Sequence, residues 1–491
     1  MGNLWKFLLL SYLLTASLTA EPRRYDAQIV SGYEQITLPG NEPMGLVRVG
    51  ALFHLGKHIW LGPELYGAVT GKRGGFFTTG IEAKLQAKLM ERLSAYGGVF
   101  VGAGGGGSAP QGGGLMIRPS AGISYDIGIG SIEGGLSRVW YPNGDIDSTH
   151  LHIGFALATS GKYFRGNRIK NEDPKEHNSS SVEITTQALA EHYMPSSASH
   201  DVRSSKKTTP FSLTGVEFKI RSGNDWYGYL EAAGAGAGAS NGYMELFGGL
   251  GFDYAINDYL SLGIQGALGA GGGGRVDTGG GLMYRAELTA QTKLYDAFTL
   301  NGRIGKIGAI KGSFGATSYG VSLGYRESFY GLGDPDFSED TNTSAWRFGV
   351  QNKSYLPFAG MFKDDQVNRI DLIGLSLHRF LGKNIYLIGE SYWAWQGQAG
   401  GYAEGVLGIG LQSSKMGHFR AYAEAKAGVG GGGDVNMDGG LFGAIEAGLR
   451  YDIDEVWQLH AGAGYIRTRT GAFHTYSIHT GISYNFSLFG R

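Results

Sequence analysis

The sequence predicts an all-β protein. It reads as a transmembrane antiparallel β-barrel of about twenty-four strands from three tandem eight-stranded repeats, with three separate eight-stranded barrels as the alternative. Three observations predict it. The 491 residues include 86 glycines, 28 tyrosines and 24 phenylalanines, a mixture suited to tight turns and aromatic-rich strands rather than to a soluble enzyme. One glycine pattern recurs three times at fixed spacing. Between turns, apolar and polar residues alternate with period two.

The elements follow in chain order. Lys6, the apolar stretch Phe7 to Leu18 and Thr19-Ala20 read as a signal peptide over 1–20, cleaved after Ala20, and the stretch is too short for a spanning helix. Without cysteine there are no disulfides, thiolate metal sites or lipid-modified N-terminal cysteine. A net charge of −1 gives no global field for nucleic acid, which is not expected as a partner.

Repeat unit 1 spans 21–160, a linker 161–181, unit 2 182–325, a second linker 326–343, and unit 3 344–491. The landmark is Gly102-Ala-Gly-Gly-Gly-Gly107 followed by Gly112-Gly-Gly-Leu115, recurring from Gly269 to Leu282 and from Gly428 to Leu441. Glu64, Glu231 and Glu390 each precede its first glycine by one common interval. Strands in unit 1 are expected near 27–37, 46–54, 59–70, 76–89, 94–102, 115–125, 131–141 and 150–160. After the first glycine hairpin Leu115, Ile117 and Ile123 fall on one face and Met116, Arg118 and Ser124 on the other. Turns alternate between short polar ones, such as Gly56-Lys57-His58, and Gly-rich ones, such as Thr70 to Gly75. That alternation, with an even strand count, is the two-sided pattern of a membrane barrel with its N-terminus on the periplasmic side.

The last strand, Ser477-Ile-His-Thr-Gly481-Ile-Ser-Tyr484-Asn-Phe486, resembles the C-terminal insertion signal of Gram-negative outer-membrane β-barrel proteins, although the chain continues to Arg491. The resemblance implies an outer-membrane address after export. Its implied partners are the barrel-insertion machinery, outer-membrane lipid and lipopolysaccharide.

Glu64, Glu231 and Glu390 share parity with Trp60, Tyr227 and Tyr386. A carboxylate facing lipid is costly, so that face is the lumen. With Arg118, Arg285 and Glu446 these acids are the pore-lining candidates. In one large ring they would stand at one height, as a cation-attracting belt. Pairing with Arg118, Arg285 or Lys426 would instead hold the wall. The hairpin glycines, with Gly104, Gly271 and Gly430 at their centres, suit either a smooth patch near the mouth or a kink that bends the wall. Asp434, Asn436 and Asp438 match the start of a calcium loop but lack its closing glutamate, leaving a weak metal candidate. No catalytic residues or cofactors are expected, and an enzyme would require a Ser or Asp/His cluster at the rim. Trp140, Tyr141, Trp393 and Trp395 read as interfacial aromatics.

Small luminal residues (Gly98, Gly122, Ala444, Gly448) would underfill an eight-stranded barrel, which favours one wide barrel. The expected function is therefore a pore or export/uptake conduit of unknown cargo. A structural or surface-interaction protein is the alternative, and an outer-membrane enzyme the third.

Overall fold

A computed structural model describes residues 21–169, 181–204, 206–223, 225–295, 297–333 and 342–490. The expected signal peptide lies outside them. The first eight strands are β1 (Arg23–Leu38), β2 (Glu42–His54), β3 (Ile59–Thr70), β4 (Phe77–Lys88), β5 (Leu93–Gly105), β6 (Leu115–Asp126), β7 (Ser131–Trp140) and β8 (Asp147–Arg165). Next come β9 (Ser181–Pro195), β10 (Phe211–Arg221), β11 (Trp226–Gly238), β12 (Met244–Ala255), β13 (Leu260–Gly272), β14 (Leu282–Lys293), β15 (Phe298–Ala309) and β16 (Gly315–Tyr330). The last third holds β17 (Thr343–Tyr355), β18 (Ile370–Phe380), β19 (Ile385–Gln396), β20 (Ala403–Gln412), β21 (Phe419–Gly431), β22 (Leu441–Asp452), β23 (Trp457–Thr468) and β24 (His474–Gly490).

All twenty-four strands belong to one antiparallel hydrogen-bonded network, but its closures form three rings. β1 pairs with β8 from Arg23↔Tyr163 to Glu34↔His152. β9 pairs with β16 from Ser181↔Tyr330 to Pro195↔Ala316, and β17 with β24 from Thr343↔Phe489 to Tyr355↔Ser477. Among the described residues the rings touch in the ladder near strand ends, where Phe486 and Ser487 of β24 meet Arg165 and Phe164, and Gly490 and Phe489 meet Phe329 and Tyr330, and an isolated bridge joins Gly161 to Leu332. The arrangement is therefore the three-barrel alternative, and the single wide lumen is corrected.

The reason is visible at the small luminal residues that had argued for width. The space beside Gly98 is taken by Glu82 Oε1, that beside Gly122 by the Tyr96 hydroxyl, and that beside Gly448 by the Tyr422 hydroxyl. Small positions face large ones, which is how a narrow barrel fills its interior. Alternation holds throughout: Met116, Arg118 and Ser124 are buried inside while Ile123, Leu136, Leu151 and Ile153 are exposed outside. An outward apolar band over a polar interior is the pattern of a barrel in lipid.

Each ring places β1–β2, β3–β4, β5–β6 and β7–β8, or their counterparts, at one end, called here the hairpin end. Each lumen there is closed by an apolar cap. Ile36, Met44, Tyr66, Phe76, Met116 and Tyr141 form it in the first barrel. Tyr193, Phe211, Tyr243, Val276, Met283 and Phe314 form it in the second, and Tyr355, Phe362, Tyr402, Val435, Met437 and Phe473 in the third. Tyr141 is thus a cap residue bonded to Thr78 Oγ1 (2.8 Å), not a girdle aromatic. Trp140 does face outward.

Candidate functional site

Below each cap lies a layer of buried ion pairs. Arg118 places Nε and Nη2 on Glu34 Oε2 at 2.9 and 2.8 Å, and the Ser137 hydroxyl donates to the same oxygen. Arg48 stands 3.7 Å from Glu64 and 3.4 Å from Glu133, and Lys84 also pairs with Glu133. In the second barrel Arg285 contacts Glu231 (2.6 Å), Glu245 (2.6 Å) and Glu191 (3.2 Å). Arg303 adds Glu231 (2.7 Å), Glu191 (3.1 Å) and Glu217 (3.2 Å). In the third, Lys426 reaches Glu390 (2.8 Å), Glu424 (2.8 Å) and Glu446 (2.5 Å), and Lys353 reaches Glu446 (3.1 Å).

The three matched acids therefore occupy the same strand of three different barrels, on β3, β11 and β19, and no lumen holds more than one of them. A shared acidic belt is excluded by the closures. Glu231 and Glu390 take Arg285 and Lys426 as partners, whereas Glu64 takes Arg48 because Arg118 is engaged by Glu34. Glu191, Glu231 and Glu245 converge within 4.8 Å like a metal site, but the cation among them is the Arg285 guanidinium. Charges this deep need partners, since an isolated ion in a low-dielectric interior is very costly.

The glycine hairpins do something else. Gly107 and Ser108 (φ 56° each), Gly274 and Arg275 (54° and 65°) and Gly433 and Asp434 (57° and 53°) are consecutive left-handed pairs, the signature of a type I′ turn. Four residues on, Gly112 and Gly279 (φ 57° and 58°) are matched by Asp438 (φ 37°), one of the few residue types that tolerate this region. The calcium-like spelling thus has a backbone explanation. Val435 and Met437 point into the cap, the Asn436 amide donates to Gly360 O (3.3 Å), and Asp434 and Asp438 are exposed. Among the described residues no third acid or histidine joins them.

These same hairpins carry the contacts between barrels. A Cβ on Gly280 would lie 2.6 Å from Thr70 Cα, and one on Gly281 2.3 Å from Ala68 O, both on the β3 side of the first barrel. Gly114 faces Ala394 O (2.2 Å) of β19, Gly400 faces Gly112 O (1.8 Å), and Gly440 faces Ala235 O (2.3 Å) of β11. Each hairpin after a fifth strand receives the third-strand edge of another barrel, so barrel 1 docks on 2, 2 on 3 and 3 on 1. Backbone contact is direct where the Gly74 N–H donates to Gly279 O (3.0 Å), and the Gln111 side-chain amide donates to Gly400 O (3.0 Å). Lipid tails are as apolar as side chains, so association in a bilayer relies on close approach and hydrogen bonds, which glycine permits. Val69, Phe77, Ala103, Ala270 and Trp393 pack in this seam, so Trp393 belongs to it and not to a girdle.

Sequence reasoning missed one rim group: His200 Nδ1 lies 3.0 Å from Ser313 Oγ and 3.7 Å from Asp277 Oδ2. Hydroxyl and carboxylate share one ring nitrogen, so the ring cannot relay a proton between them as a triad does.

No family model matches the sequence, and no curated protein does either. Solved structures similar to the chain include the ferric enterobactin receptor (PfeA) in complex with BCV-L6, at 9% identity and TM-score 0.28, with 96% of this chain and 82% of that one covered. Pseudomonas aeruginosa OpdQ is 10% identical with TM-score 0.22, covering 94% and 97%. The KdgM porin is 10% identical with TM-score 0.15, covering 61% and 98%. The closed rings, the outward apolar band and the paired polar interior make this chain an outer-membrane-type β-barrel protein, with three barrels in one polypeptide.

Proposed function

We propose that the protein resides in the outer membrane as a closed-lumen assembly that works through its hairpin-end surface, the structural or surface-interaction reading of the sequence. The carrying observation is that each lumen is filled twice over, by an apolar cap and by an ion-pair layer. Solute passage would require both to move. The even strand count of each ring puts its two termini on one side, and with that side periplasmic the hairpin end faces outward, where lipopolysaccharide and other surface partners are met.

A conduit remains the second reading, favoured by one observation. Lys426 has three carboxylates within 2.8 Å, so a change of partner could open a narrow polar route without uncompensated charge. Single-channel recording of refolded protein in a planar bilayer separates the two. The closed-lumen reading expects no steps above baseline in wild type. Frequent small steps, abolished in Lys426→Met, would replace it with a gated conduit.

A further inference from the structure

The seam between the third and first barrels contains a crevice of about 900 Å³, within the range of ligand-sized sites. Its walls are lipid-facing side chains: Val101 and Leu115 of the first barrel, Ile373, Leu449, Leu459 and Ile482 of the third. Polar residues interrupt this apolar lining: Gln351 and His460, which bond each other (3.1 Å), and Asn352 and Thr480, paired across the β17–β24 closure and both exposed. Trp395 Nε1 donates to Asn352 Oδ1 (3.1 Å) from two strands away on the same barrel. Among the described residues the Thr480 hydroxyl has no hydrogen-bond partner. Polar groups aimed at hydrocarbon are costly unless something there answers them.

Comparison of the three repeats shows why the space exists here. The same closure pair is Tyr33 and Ile153 in the first barrel, and His192 and Tyr319 in the second. His192 and Tyr319 pack with ring centroids 5.2 Å apart and planes tilted by 42°, and Tyr33 reaches Thr70 Oγ1 at 3.3 Å. Both earlier pairs fill the wall with large side chains. In the third barrel the pair is small and polar, and the position of Val69 and Gly236 on the third strand is Trp395. Removing bulk at the closure and adding an indole two strands away yields a slot with a hydrogen-bonding patch inside.

We infer that this crevice is a binding site for one acyl chain of lipid A, whose chain-borne hydroxyl or ester is held by Asn352 and Thr480. The occupant follows from position and chemistry. The polar pair lies toward the hairpin-end termini of β17 and β24, hence in the outer leaflet under the orientation proposed above. The lining is mostly apolar, as a saturated chain requires, and an acyl chain without a polar substituent would leave the Thr480 hydroxyl unanswered and Asn352 with Trp395 alone.

The test uses the full chain, refolded in detergent free of bacterial lipid and titrated with purified lipid A, with bound stoichiometry read by native mass spectrometry. Wild type is expected to retain one lipid A in preference to phosphatidylethanolamine. Asn352→Leu with Thr480→Val keeps the slot but removes the polar pair, and should weaken retention roughly tenfold, the scale of one or two hydrogen bonds. Ala461→Trp, on the crevice wall, should abolish it, with heat-modifiable gel mobility reporting that each variant folds. Equal retention of phosphatidylethanolamine, or retention unchanged in the Leu/Val variant, would overturn the assignment. Orientation is tested separately by protease access to the hairpin-end loops of intact cells, so a failed site and a reversed barrel give different results.

Discussion

Arg285 shows what a single residue does in these lumens. It answers three buried glutamates at once, so its loss leaves Glu245 without a cation and Glu191 and Glu231 with Arg303 alone. Arg285→Met is expected to cost about 3–5 kcal/mol, lowering the temperature at which the folded gel band converts to the unfolded one. Glu64→Gln should shift that temperature far less, because Glu64 stands 3.7 Å from Arg48 and its Tyr66 hydrogen bond survives in an amide. A larger shift for Glu64→Gln than for Arg285→Met would contradict this ranking. At this scale the sequence was partly legible. Parity placed Glu64, Glu231, Glu390, Arg118, Arg285 and Glu446 inside, because strand geometry alone decides which way a side chain faces. Partners were harder to read, since Glu34 and Arg118 come from strands separated by 84 positions. Asp438 misled because an aspartate that tolerates positive φ and one that binds calcium are spelled alike.

Among the elements, the third-strand edges and glycine hairpins carry the association of the barrels. Gly400→Val would drive a side chain into Gly112 O without touching either lumen. We expect each barrel to keep its own resistance to heat while the contact between the third and first opens, read as increased protease cleavage of the 397–402 turn. Unchanged protection would mean that the strand-end contacts of β24 suffice. The strands of the first repeat were legible to within five residues of their ends from period-two alternation, although β8 runs to Arg165 and β16 to Tyr330, into segments expected to be linkers. Closure was not. Whether β8 bonds to β1 or to β9 leaves the alternation of every strand unaltered, so no pattern within a strand distinguishes one ring from three. The glycines were recognised as places of close approach, yet what they approach is another barrel, and only the packing reveals that. The C-terminal residues beyond Phe486, a departure from the usual insertion signal, reach the ends of β8 and β16, with the Ser487 hydroxyl donating to Gly166 O (2.8 Å).

For the whole molecule, the three closures make a direct prediction. Protease sites engineered into 171–179 and 335–340, then cleaved in the refolded protein, should leave three fragments that each retain heat-resistant mobility after separation in denaturing gels without boiling. A single large ring cut at two places would lose its folded band in one transition. The intermediate outcome, three folded fragments that still migrate together, would measure how much the seam contributes beyond the chain that joins it.

The docking of each hairpin on another barrel's third strand is head-to-tail, an interface that in separate molecules closes only when the rotation happens to return to its start. Carrying all three positions on one polypeptide removes that contingency and also gives every position an address. In a trimer of identical chains a substitution appears three times, so a gain at one seam is tied to losses at the other two. Here Asn352 can be asparagine while its counterparts are tyrosine and histidine. Symmetry is retained where backbones meet and abandoned where side chains face the surroundings, which allows one protein to present three different faces to its neighbours.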